Sequence, residues 1–84
     1  MATLSDIEAI VAPLVDGWCE RRALRPLSYA LASYPQPNPL TDGLADLRGA
    51  LDKTRVFAAA DLTEGEIQQL GEAIALLDQA IHRS

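Results

Sequence analysis

The chain has 84 residues, a length that allows one domain and not two. Apolar residues make up 49% of it but aromatics only 5%, so the core must be aliphatic, which suits packed helices better than sheets. A net charge of −5 argues against nonspecific binding to nucleic acid or to anionic membranes, and no apolar run approaches the roughly 20 residues that span a bilayer.

The first apolar stripe is Ile7, Ile10, Val11, Leu14 and Trp18, with Val15 on its edge. Steps of three and four residues place these positions on one face of a helix, predicted over 6–23. Ser5 and Glu8 have the spacing of a capping box at its start. Pro13 conflicts with the pattern, because an interior proline removes a hydrogen bond and clashes one turn back, at about 3 kcal/mol. The stripe keeps its phase through Pro13, which favours a kinked helix over one that begins there. Pro26 suits the first position of a short second helix over 26–33, with Arg25 as the corner and Leu27, Leu31 and Tyr34 on the inner side. The alternating prolines of Pro35-Gln36-Pro37-Asn38-Pro39 predict a stiff, extended loop over 35–39.

Helix three is predicted over 42–59, with Thr41 as its cap and Leu40 over its start. Its stripe is Leu44, Leu47, Leu51, Thr54 and Ala58; Val56 and Phe57 fall outside it. Asp52 and Arg55 are spaced to pair one turn apart. Helix four, over 64–82, carries the most complete start signal. Thr63 is placed to accept from the Glu66 amide, the Glu66 carboxylate to reach back to the Thr63 amide, and Leu62 and Ile67 to close as a staple. Its main stripe is Ile67, Leu70, Ile74, Leu77 and Ile81, and a second holds Ala73, Leu76 and Ala80. That apolar arc is wider than one packed face needs. Leu40-Thr41-Asp42-Gly43 echoes Leu62-Thr63-Glu64-Gly65, an echo that a shared capping requirement explains without a duplication.

These elements predict an all-α fold: a compact bundle of four helices, one of them short, with helices three and four as an antiparallel hairpin. A single helical domain over 1–84 is expected.

The sharpest chemical feature is the cluster of Trp18, Arg21, Arg22 and Arg25. Arginines beside an indole face make a candidate anion or carboxylate site, through bidentate hydrogen bonds and stacking. The plainer reading is that cations favour a helix C-terminus and that arginine stems cover a tryptophan at the core edge. Cys19 is the only cysteine, so no disulfide closes within the chain, and the expected state is an inert, reduced thiol. His82, the only histidine, follows Asp78 by four residues near the helix end, where a cation is favoured. One cysteine and one histidine make no typical zinc site, and no calcium loop, phosphate loop or nucleophile elbow occurs. No metal, no cofactor and no enzymatic activity are expected. Thr41-Asp42-Gly43-Leu44 lacks the serine that acyl carrier proteins present in Asp-Ser-Leu, so a carrier role is set aside. In size, acidity and helical character the chain is similar to nuclease-inhibiting bacterial immunity proteins.

The expected function is a small acidic protein-interaction or adaptor domain, self-associating through helix four. Its candidate interface residues are Val56, Phe57, Ala73, Leu76 and Ala80. The alternatives are a neutraliser of a basic protein, which the similarity to immunity proteins implies, and a small-anion regulator using Trp18 and its arginines. The expected partner is a protein or a second copy, not nucleic acid or membrane. With no basic region leading into a long apolar run at the start, no signal peptide is expected, and the expected location is the cytoplasm.

Overall fold

Each apolar stripe becomes a helix in the computed structural model, which describes residues 4–35 and 41–83. The helices are α1 (Leu4–Glu20), α2 (Leu24–Ala30), α3 (Thr41–Phe57) and α4 (Glu64–Arg83), with a 3-10 turn at Ala59–Asp61 between the last two. No strand occurs among the described residues. Residues 36–39 of the loop expected over 35–39, and Leu40 above helix three, lie outside the described residues, as does the side chain of Thr41.

α1 starts at Leu4, so Ser5 sits inside the first turn instead of capping it. The helix runs unbroken through Pro13. Pro13 and Ala9, one turn before it, are both exposed, so the lost hydrogen bond falls on the solvent side of the helix. The end of α1 comes at Glu20, three residues before the expected 23, and its cause is Arg22. Arg22 adopts a left-handed backbone with φ 55°. The Ala23 amide then donates to the Trp18 carbonyl at 2.8 Å and the Arg22 amide to the Cys19 carbonyl at 3.2 Å. That pair of bonds is a Schellman motif, with arginine at the position glycine usually fills.

This turn moves the corner from Arg25 to Arg22 and Ala23, so α2 begins two residues before Pro26. Pro26 occupies the first turn, where the missing N–H has no helical partner to lose, and its ring is buried. The inner side of α2 is therefore Pro26 and Ala30, with Leu27 and Tyr34 partly buried against the core. Leu31, expected inside, is the C-cap residue and is 48% exposed.

The α3 stripe is buried throughout, from Leu44 to Ala58. Thr54 is fully buried because its hydroxyl donates to the Ala50 carbonyl one turn back, at 2.8 Å. Asp52 and Arg55 pair at 2.6 Å. α3 and α4 make the most extensive helix contact, a hairpin closed by the 3-10 turn. α4 also packs along α1, and this explains the breadth of its apolar arc. One core draws on every helix: Trp18, Ile7 and Val11 from α1, Ala30 from α2, Leu47 and Leu51 from α3, and Leu70 and Leu77 from α4. The radius of gyration is 11.8 Å, close to the roughly 12 Å expected when a chain of this length packs about one core. No helix of the described residues is long and apolar enough to cross a membrane.

Candidate functional site

The end of α1 and the start of α4 meet in a charged node. Thr63 and Glu66 form the reciprocal capping box: the Glu66 amide donates to the Thr63 hydroxyl at 3.1 Å, and the Thr63 amide donates to Glu66 Oε1 at 2.9 Å. The same carboxylate accepts two hydrogen bonds from Arg21, at 2.6 and 2.7 Å. Arg21 also donates to the Asp61 carbonyl at 2.7 Å. One guanidinium thus fastens the C-terminus of α1 to both the α3–α4 turn and the cap of α4.

Electrostatics follow from this geometry. The Arg21 hydrogen bonds hold the Glu66 carboxyl at about 2, well below the ordinary glutamate range, against the opposing effect of burial. The Thr63 amide and the nearby Trp18 indole also favour the ionised form. Glu66 in turn raises the Arg21 guanidinium above its ordinary value. The Trp18 N–H is fully buried and lies near this carboxylate, yet closes no hydrogen bond of good geometry.

Of the four residues read from sequence as an anion cluster, Trp18, Arg21 and Arg25 stay together, gathered around Glu66 and Asp61 of the same chain. Trp18 is fully buried in the core, so it offers no face for stacking. Arg21 already holds a carboxylate, from its own chain. Arg25 lies 3.9 Å from Asp61, with both side chains largely in solvent. Of the four, Arg22 alone is exposed without an ion pair among the described residues. Asp78 accepts from Arg48 at 3.0 Å, an α3–α4 tie, and His82 is exposed at the helix end. Cys19 is an exposed free thiol. No group of metal-ligating side chains occurs among the described residues.

The five interface candidates also divide. Ala73 is fully buried in the core, which removes it from any surface of this fold. Leu76 and Ala80 are partly buried against the same core. Val56 and Phe57 remain 57% and 59% exposed. Phe57 is not isolated: its ring lies 5.8 Å from that of Tyr29 on α2, tilted by 34°.

Tyr29 borders an open groove of about 360 Å³ between α2 and α3. Ser28 on α2 and Ala32 just past its end form one wall, and Asp46, Gly49 and Lys53 lie along α3. A Cβ on Gly49 would meet nothing within 4 Å, so the middle of this α3 face is flat and open. Gly49, Lys53 and Val56 recur at steps of four and three, and so share the side of α3 opposite its buried stripe. Leu24 and Leu31, 72% and 48% exposed, lie along the outer side of α2. The large exposed apolar side chains of the described residues therefore come from α2 and the end of α3, and none from α4. Sequence reasoning missed Leu24, Leu31 and this groove. The polar side of α3 is readable from sequence, but its pairing with α2 is set by tertiary packing.

Compared with protein-family models, with curated proteins and with solved structures, the chain matches none.

Proposed function

We propose that this chain is a non-enzymatic protein-interaction domain whose working surface is the α2–α3 side. The observation that carries the reading is the exposure of Val56 and Phe57 at the end of α3, with the Phe57 ring against Tyr29, which lines an open groove between α2 and α3. Burying such side chains against a partner removes apolar surface from water, at about 25 cal/mol per Å². Aromatic residues such as the Tyr29–Phe57 pair are favoured anchors at interfaces. Helix four, the surface expected from sequence, is less favoured because its apolar arc is divided between α1 and α3.

A double substitution tests the reading. Val56→Asp with Phe57→Ser changes exposed positions only, so a native-like thermal transition is expected. The variant is expected to leave the complexes that the wild-type chain forms in its source cells, read as apparent mass on gel filtration of extracts. Unchanged complexes with a folded variant would overturn the assignment of this surface.

A further inference from the structure

We propose that α2 is a flap over the seam between α1 and α3: it opens as a unit at Ala23 while α1, α3 and α4 stay packed together. With α2 lifted, the shallow groove it shares with α3 becomes a cleft that reaches the aliphatic core, whatever binds the outer surface.

α2 is weak by its own sequence. It has seven residues, and isolated helices shorter than about 12–15 residues are marginal in water. No side chain caps its N-terminus, its first turn holds Arg25 and no acid, and its last turn holds no base. Neither end compensates the helix dipole, and Arg25 opposes it. α3 and α4, by contrast, both carry acids in their first turns.

The docking of α2 is also thin. Only Pro26 and Ala30, both small, are buried, with Leu27 and Tyr29 half-buried. Among the described residues no α2 side chain makes a hydrogen bond to another helix; the Ser28 hydroxyl donates to the Arg25 carbonyl of its own helix. The ties that cross are the Tyr29–Phe57 ring contact and the Arg25–Asp61 pair at 3.9 Å. Phe57, Arg25 and Asp61 are all exposed, so water competes for both ties.

α1 holds its place without α2. Arg21, two residues before the hinge, fastens the end of α1 to the Glu66 carboxylate and the Asp61 carbonyl. The Ala23 amide closes α1 on the Trp18 carbonyl, and the Ala23 backbone itself, at φ −78° and ψ 82°, lies outside helical geometry. α1 and α3 both pack on α4, so three helices keep a common core when the fourth leaves. Few buried side chains and few cross-links are what give one element an opening of its own, below the cost of global unfolding.

Native-state hydrogen exchange of the full chain, read by NMR at neutral pH in rising sub-denaturing urea, tests the proposal. The Leu27 and Leu31 amides report on the two ends of α2, since they donate to the Ala23 and Leu27 carbonyls. The amides of fully buried Leu51 and Leu77 report on the core. Leu27 and Leu31 are expected to share one protection factor, at least about tenfold below that of Leu51 and Leu77, and one urea dependence, shallower than that of the core. In Glu66→Gln the core amides are expected to lose roughly tenfold in protection. Leu27 and Leu31 are expected to keep theirs, because the closed and open states lose the same Arg21 contact. Protection at Leu27 and Leu31 equal to that of the core, or a parallel loss in Glu66→Gln, would overturn the proposal, since α2 would then open only when the whole domain unfolds. So would unequal protection without urea dependence, which marks fraying of helix ends, or no protection at all, which marks an α2 that never closes.

Discussion

Replacing Glu66 by glutamine removes one charge from the node that joins α1 to α4 while keeping the shape of the side chain. The carboxamide would still offer an oxygen to the Thr63 amide, but it cannot accept both Arg21 hydrogen bonds. The carboxyl titrates at about 2 in the folded chain against an ordinary 4.5. At about 1.4 kcal/mol per pH unit, that interval corresponds to roughly 3 kcal/mol. The Arg21 side chain is 39% exposed, and solvent screening on its side reduces the expected share to about 1–2 kcal/mol. For a domain of this size, Glu66→Gln should lower the melting temperature by roughly 5–15 °C at neutral pH. The sign with pH is fixed by the lower folded value. The contribution is fully present above about 4.5 and is lost as pH falls through about 2. Urea unfolding of wild type and variant, repeated down the pH scale, should therefore give two stability curves that converge over this interval. Equal stabilities at neutral pH, or a gap that stays constant into acid, would refute the reasoning.

Three further substitutions test the local physics, each by thermal or urea unfolding. Pro13→Ala restores a donor on the exposed side of α1 and relieves a steric clash; after the added freedom of the unfolded chain is subtracted, a gain of about 1–2 kcal/mol is expected, and a loss would contradict the account. Arg22→Gly removes the cost of a left-handed residue at the end of α1, so a gain of up to about 1 kcal/mol is expected, whereas destabilisation would show that the arginine side chain has a structural role there. Thr54→Val replaces a buried hydroxyl whose only described bond is to a carbonyl of its own helix; a change within about 1 kcal/mol is expected, and a larger loss would mean that the hydroxyl has a second partner.

The legibility of the fold follows the length of its signals. The stripes of α3 and α4, and the Thr63–Glu66 capping box, depend on neighbours within a few turns, and all are present in the structure. The corner between α1 and α2 departs from expectation because Pro26 is a strong local signal, whereas a left-handed arginine carries none. The charged node is half readable. Spacing assigns Glu66 to the cap of its own helix, but Arg21 lies 45 residues away and no spacing rule connects them. Ala73 shows the same limit from the other side: a wide apolar arc does not reveal whether its second flank meets another helix of the chain or a partner.

The assignment of the working surface can be tested most directly by site-specific photo-crosslinking in source cells. One chain would carry a photoreactive phenylalanine analogue at Phe57, and a control would carry it at Gln79, an exposed position of α4. The account predicts discrete crosslinked species from position 57, whether to a second copy or to another protein, and none from position 79. Crosslinks from position 79 with none from position 57 would contradict it and return the interface to helix four.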